Sequence, residues 1–320
     1  MSDLVIETTG LTRAYGDFIA LDGLDLRVPR HAIFGFLGPN GAGKTTTLRL
    51  LLGMTRPTAG SGRILGMDIV RDSIEIRRRV GYLAQSPRFY DHMTARETLR
   101  LAARFFYTGP RDLIEQRVDE TLDLVGLTDR ADRPTRGFSG GERQRLGIAQ
   151  AQINHPDVLI LDEPAAALDP MGRRGVGEVM RRRRQHSTVF YSTHILDDVQ
   201  RVSDSVAILN SGRLVAQAPI ETLLASREGT VFMLAVRGSA ARIEQARARI
   251  VAETWVQSVM TVAGNSGVTH WQIAVDDPAA AEARLLRLAL ADDALTVTAF
   301  GRQQYELEDI FMSIVEESGR

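Results

Sequence analysis

The chain has 320 residues, 44% of them hydrophobic, with a formal net charge of −1 and a pI near 6.6. That length predicts about two domains with an ordinary buried core, and the balanced charge provides no global basic field for nucleic acid or anionic lipid. The lack of cysteine excludes a disulfide scaffold and thiolate metal sites and fits a reducing, cytoplasmic compartment.

His31, His92, His155, His186, His194 and His270 are scattered, with no H-E-x-x-H spacing, so no protein zinc site is expected. The opening MSDLVIETTG lacks the charged-then-apolar pattern of a signal peptide. No run approaches the roughly 18 apolar residues of a membrane-spanning helix. Work at a membrane would need another chain to supply the span.

In chain order, residues 4–37 alternate short β-type runs (LVIET, FIALDGLDLRV, AIFGFL) with turn residues. A glycine-rich loop and a helix, KTTTLRLLLG, follow, then a charged helical stretch, DSIEIRRR, and the short strand VGYLA. From about 94 to 150 the period becomes helical. Thr94 and Glu97 form a capping-box pattern opening a helix through Phe106, and 111–126 is a second amphipathic run closed by Gly126. DVLILD (157–162) and TVFYSTH (188–194) are nearly all-apolar, as parallel strands covered on both faces are. VAILNSGRLVAQ reads as a hairpin turning at Asn210, Ser211 and Gly212. The run Arg181–Arg184 ends a helix and reads as a solvated face. After residue 225 the order βαββαβ, then a final helix ELEDIFMSIVEE, predicts a small ferredoxin-like sandwich over 226–320.

Lysine occurs once, at Lys44, while the other basic residues are all arginine. It lies in GPNGAGKTTT, where Gly38, Pro39, Asn40, Gly41, Ala42, Gly43, Lys44, Thr45 and Thr46 match a phosphate-binding loop between a strand and a helix. Glycines let backbone N–H groups turn inward around phosphate oxygens at a helix N-terminus. The lysine delivers a compact charge between the β- and γ-phosphates, and the Thr45 hydroxyl can ligate Mg²⁺. A broad guanidinium would not fit so close a loop, whereas on a solvated surface arginine replaces lysine at little cost. A chance survivor of drift towards arginine would rarely land here. A guanine-specific N-K-x-D motif would need a second lysine, which argues against a GTPase.

Asp162 and Glu163 close the strand VLILD. A strand-end carboxylate beside a phosphate loop can hold Mg²⁺ through water, and its neighbour can polarise an attacking water. Upstream, FSGGERQ places Ser139 and Glu142 as a second capping box, with Gly140 and Gly141 offering amides at a positive helix end.

Together these motifs resemble the ATP-binding cassette (ABC) family over roughly residues 4–220. FSGGE is similar to the family's LSGGQ, with Phe138 for Leu and Glu142 for Gln. The resemblance implies an α/β fold: a P-loop NTPase cassette over 1–225, with a mixed β-sheet core and a helical subdomain at about 90–150, followed by the α+β accessory domain. It implies further roles. Tyr15 would stack on adenine. Gln85 would lie near Mg²⁺ and the water, Asp169 would contact a partner cassette, and His194 would hold the γ-phosphate. Ser139–Glu142 would serve ATP bound on that partner. Arg30-His31 stands where the family usually has glycine, and Ala165-Ala166-Ala167 where a Thr and a polar residue are common.

The implied activity is ATP hydrolysis with Mg²⁺ by a head-to-tail cassette dimer, either of two copies or with a homologous cassette. The implied setting is the cytoplasmic face of a membrane, through a separate permease and without nucleic acid. Only residues 86–138 separate Gln85 from Ser139, too few for the long coiled coil of DNA-repair members. A single cassette differs from translation-associated members. The YELEDIFMSIVEE ending resembles that of ATPases serving drug and antibiotic-resistance exporters. The alternative is a soluble ABC ATPase with a non-transport role.

Overall fold

The computed structural model describes residues 3–166, 168–225, 230–263, 268–291, 295–302, 307, 308 and 311. The chain divides into two compact units, Met1–Leu223 with Leu307–Arg320, and Leu224–Glu306.

The first unit opens with β1 (Leu4–Tyr15), β2 (Phe18–Leu24), β3 (Arg27–Pro29) and β4 (Ile33–Leu37). There follow α1 (Lys44–Leu51), β5 (Ala59–Ile64), β6 (Met67–Asp68), α2 (Ser73–Arg79) and β7 (Val80–Leu83). A helical segment holds α3 (Ala95–Ala103), α4 (Arg111–Leu124) and α5 (Gly140–Gln152). The chain then runs β8 (Val158–Asp162), α6 (Pro170–Arg184), β9 (Thr188–Thr193), α7 (Leu196–Val202), β10 (Ser205–Asn210), β11 (Arg213–Pro219) and α8 (Ile220–Ala225).

Two sheets result. One has the order β2-β1-β5-β6, with β3 also on β1; the other has the order β11-β10-β4-β9-β8-β7. From β10 to β7 every pairing is parallel, and β11 closes the edge as a hairpin. The sequence explains this central sheet. IFGFL, VLILD and TVFYST are buried at every position, as strands covered on both faces require. Phe190 on β9 packs between Phe34 and Phe36 of β4, with ring centroids 5.8 and 5.4 Å apart. The hairpin turn uses Ser211 and Gly212, both at positive φ (48° and 79°), as a two-residue loop between twisted strands demands.

Helix starts follow the local code. Thr94 and Glu97 form a reciprocal capping box on α3, and Ser139 and Glu142 form another on α5. Asp169 caps α6 with Pro170 at its first position. The guanidinium of Arg100 forks onto Glu115 at 2.5 and 2.7 Å and ties α3 to α4. Any Cβ at Gly81 would overlap the Ala151 carbonyl, so glycine there lets α5 lie directly against β7.

The second unit holds β12 (Thr230–Arg237), α9 (Ala240–Val251), β13 (Val256–Ala263), β14 (Thr269–Val275), α10 (Pro278–Ala289) and β15 (Thr296–Arg302). Its antiparallel sheet runs β13-β14-β12-β15, the strand order of a split β-α-β arrangement. Phe232, Leu234, Trp271, Ile273, Ile250 and Leu285 form its core.

Three expectations change. Helix α3 stops at Ala103, not Phe106, because the next backbone bonds tighten to the i−3 carbonyl (Phe105 N to Ala102 O, Phe106 N to Ala103 O). Arg181–Arg184 is not a uniformly solvated face. Arg183 continues the buried stripe of Val176, Val179 and Met180 on α6. Strands β5 and β6, absent from the sequence reading, arise from a glycine-rich, mostly exposed stretch. The expected final helix at 306–317 lies largely outside the described residues. Leu307, however, is fully buried, and its N–H donates to Gln200 Oε1 of α7 at 3.0 Å.

Candidate active site

Parallel pairing brings four loops to one edge of the central sheet. They leave the carboxyl ends of β4, β9, β8 and β7, with Leu37 beside Thr193, Asp162 beside Ser192 and Leu161 beside Leu83. This edge is where open α/β sheets bind ligands.

The loop after β4 is the glycine-rich one. Gly41 and Gly43 adopt positive φ (83° and 105°), and a Cβ on Gly43 would come within 2.6 Å of the Ala20 carbonyl. Glycine is required there both by conformation and by space. Helix α1 starts at Lys44, whose side chain is buried and doubles back over the loop. Its Nζ donates to the carbonyls of Gly38 (2.7 Å) and Pro39 (3.2 Å) and pairs with Glu163 Oε1 at 3.2 Å. Pro39, Asn40 and Gly41 are exposed at the tip, while Ala42 is buried beneath. Thr46 follows in the first turn of α1.

At the end of β8, Asp162 is nearly fully buried, and both carboxylate oxygens are engaged. Thr45 Oγ1 donates to Oδ2 at 2.9 Å and Ser192 Oγ to Oδ1 at 2.6 Å. Glu163 follows with φ of 52°, a left-handed conformation rare for glutamate. Its N–H is held by the carbonyl and hydroxyl oxygens of Ser192 at 3.1 and 3.0 Å, which fixes the turn. Its two carboxylate oxygens part company. Oε1 faces Lys44, and Oε2 lies 2.9 Å from His194 Nδ1. His194 is half exposed just past β9.

Thus the structure brings Lys44, Thr45, Asp162, Glu163 and His194 into one connected cluster. Gln85 is exposed in the loop after β7, beside the strand that ends in Asp162. Tyr15 is exposed at the end of β1, under the Arg13 guanidinium, which lies 4.4 Å from its ring centroid. Ser139 and Gly140 are exposed at the start of α5, with Gly141 and Glu142 partly buried behind them. Ser139 N–H donates to Glu142 Oε2 at 2.7 Å, and Glu142 N–H donates back to Ser139 Oγ at 3.2 Å. The bond from the Ser139 N–H holds the Glu142 carboxyl below the usual range. Asp169 is engaged as a helix cap, accepting from Gly172 N–H at 2.7 Å.

Sequence reading missed Ser192, which braces both Asp162 and the Glu163 backbone. Its only sequence sign is a small polar side chain inside a mostly apolar buried strand, two residues before His194. Gln144, buried on α5, was also missed; its amide reaches the Glu163 carbonyl at 3.4 Å.

Fold and site together define a P-loop nucleoside-triphosphatase of the α/β class. The ABC transporter family profile matches residues 21–166. The chain is 34% identical over 311 residues to YxlF of Bacillus subtilis (strain 168), an uncharacterized ABC transporter ATP-binding protein, covering 97% of this chain and 99% of the relative. It is 34% identical over 313 residues to the daunorubicin/doxorubicin resistance ATP-binding protein DrrA of Streptomyces peucetius, covering 97% and 92%. Among solved structures, the dimeric bacterial ABC transporter cassette MJ0796 matches with a TM-score of 0.63 at 25% identity, over 67% of this chain and 98% of that one. The chain belongs to the family of ABC transporter ATP-binding proteins and is an ATPase of that family. Among the described residues no helix is long and apolar enough to cross a membrane.

Proposed function

We propose that this chain is the ATP-hydrolysing subunit that powers a separate membrane permease of the exporter type, working as a head-to-tail dimer of cassettes. The observation that carries the proposal is the cluster in which one buried carboxylate, Glu163, lies between Lys44 and His194. Glu163 is the general base, poised to take a proton from water attacking the γ-phosphate, with Gln85 helping to orient that water. Lys44 and the amides of residues 38–46 bind the phosphates, and His194 holds the terminal one. Tyr15 offers its exposed ring to adenine. Ser139, Gly140, Gly141 and Glu142 present a helix N-terminus to the nucleotide of the opposing cassette, and Asp169 lies at that seam.

Thr45 and Asp162 set two hard oxygen donors 2.9 Å apart at the phosphate loop. That pair suits Mg²⁺, which keeps most of its waters and takes one or two protein oxygens plus phosphate; Gln85 is the third candidate. Bound there, Mg²⁺ would neutralise charge on the transferring phosphoryl group.

A groove of about 520 Å³ beside the Gln85 loop favours a permease partner. Met54, Phe89, Tyr90, Leu101, Phe105 and Phe106 line it, and Tyr90 and Phe105 are 64% and 80% exposed. So much exposed aromatic surface marks a protein-binding groove. The resistance-protein relative supports the exporter reading. The test is co-purification of the chain from gently solubilised native membranes. A multi-span protein should be recovered with wild type and lost with Phe105→Glu, while ATP hydrolysis by the isolated variant persists. Recovery of the chain only in the soluble fraction would favour a non-transport ABC ATPase.

A further inference from the structure

The ring of Tyr15 already has a partner on one of its two faces. Arg13 and Tyr15 stand two apart on β1, so their side chains leave the same side of the strand. The Arg13 guanidinium lies over the ring, 4.4 Å from its centroid. That is well inside the roughly 6 Å within which an aromatic face attracts a cation.

The guanidinium is itself held in place. Its Nη1 donates to the Arg56 carbonyl at 2.9 Å, in the loop that follows α1. The same loop is sewn to β1 on either side of Arg13. Thr58 N–H donates to Thr12 O at 2.8 Å, and Ala14 N–H donates to Thr58 Oγ1 at 3.0 Å. Arg13 Nε is buried and has no hydrogen-bond acceptor. A buried donor without an acceptor is costly. The electron-rich face of Tyr15 is what this guanidinium has in its place.

Arg13 therefore backs the ring from the protein side and leaves the opposite face open. Tyr15 is 46% exposed. It pairs with Phe18 at the turn of the β1–β2 hairpin, and a little further along β2 the Ala20 carbonyl abuts Gly43 of the phosphate loop. The open face thus lies on the hairpin that borders the nucleotide site.

Resting on the reading of Tyr15 as the platform for adenine, we propose that Arg13 is a positioning residue for nucleotide binding, which fixes the Tyr15 ring from behind so that its other face is ready to stack on the base. An exposed aromatic side chain otherwise has to be ordered when the ligand arrives, and that cost comes out of the affinity. Arg13 meets it in advance, through the cation over the ring and the anchor on the Arg56 loop.

The probes are ATP and inorganic tripolyphosphate, which carries the phosphates without the base. Both are titrated calorimetrically into the full chain without divalent cation, so that no turnover occurs. Tyr15→Leu tests the platform: ATP should bind more weakly and tripolyphosphate equally well. Unchanged ATP affinity in that variant would remove the adenine reading, and this proposal with it. Arg13→Met keeps the aliphatic stem and loses the cation. It should weaken ATP about threefold, leave tripolyphosphate unchanged, and add nothing once Tyr15→Leu is present. Arg13→Gln, neutral but still a donor, should show the same ATP-selective loss and serves alone should Arg13→Met not fold. With Tyr15→Leu behaving as expected, undiminished ATP affinity in the Arg13 variants would overturn the proposal and leave the platform standing. So would an equal loss for tripolyphosphate, which would make Arg13 a charge that faces phosphate. Tighter ATP binding would overturn it too, by placing the guanidinium on the face that adenine needs.

Discussion

The Nζ of Lys44 and Oε1 of Glu163 lie 3.2 Å apart, and both side chains are almost wholly buried. The charge proposed to meet the phosphates and the carboxylate proposed to activate water are therefore bound to each other. Breaking a buried pair costs several kcal/mol unless each partner is re-satisfied, so nucleotide entry must compete with Glu163 for the ammonium. Glu163→Gln should accordingly do two things. Turnover should fall by about 10²-fold or more for loss of a general base, and ADP should bind several-fold tighter because Lys44 is released. Steady-state hydrolysis and calorimetric ADP titration check the two separately. Brisk turnover would remove Glu163 as base; unchanged ADP affinity would mean the pair imposes no barrier to binding.

Lys44→Arg keeps the charge and changes the shape. The ammonium fits between the Gly38 and Pro39 carbonyls, 2.7 and 3.2 Å away, where a planar fork has no room. Nucleotide affinity should drop at least about tenfold, or 1.4 kcal/mol, as read by a fluorescent ATP analogue. Wild-type binding would show that charge alone suffices.

His31 adopts a φ of 54°, a left-handed conformation that glycine takes up without steric cost. The ring is exposed. The backbone is tied at both ends, by its N–H to Thr188 Oγ1 at 2.8 Å and by its carbonyl to Arg184 Nε at 3.4 Å. His31→Gly should keep those bonds and relieve the left-handed strain, stabilising the fold by about 0.5–1 kcal/mol. Thermal unfolding would show this as a Tm rise of roughly 1–4 °C; a lower Tm would mean that the ring contributes more than the strain costs.

Acid should unfold the chain partly through its helix caps. The carboxyls of Glu142 and Glu97 are lowered chiefly by backbone N–H bonds at the caps of α5 and α3, and Asp68 by those of Arg71 and Val70. A depressed folded-state pKa gives stability that is present above the unfolded value, near 4 for these groups, and is lost as pH falls through the folded one. Glu142→Gln can still close the capping box but carries no charge to titrate. Its Tm should therefore fall less than wild type between roughly pH 5 and pH 3. Parallel acid slopes for the two proteins would exclude the Glu142 carboxylate as a contributor.

What could be read from the sequence was mostly local. Both capping boxes appear where their spacing placed them, because a cap is decided within four residues. The nearly all-apolar strands β8 and β9 could likewise be read from composition alone. Strand β5 was not legible, since AGSGRI has no alternation and a single β-branched residue, Ile64, and is held as a strand by pairing with β1 on one side and β6 on the other. Arg183 misled for a different reason. In a run of four arginines the helical stripe is invisible, and only the packed neighbours show which of them turns inward. Ser192 and the approach of Lys44 to Glu163 depend on residues far apart in sequence, set beside each other by the parallel register.

The fully buried Leu307, held by Gln200 of α7, changes how the chain should be thought of as a piece of engineering. Leu224–Glu306 leaves the cassette and the chain then comes back, so the second unit is spliced into the first like an inserted clause. A stop codon after residue 225 would not trim an appendage; it would also remove buried Leu307 and the bond its N–H donates to Gln200 of α7. Excising 224–306 and joining the flanks with a short flexible linker is the operation that asks what the cassette does without its insert.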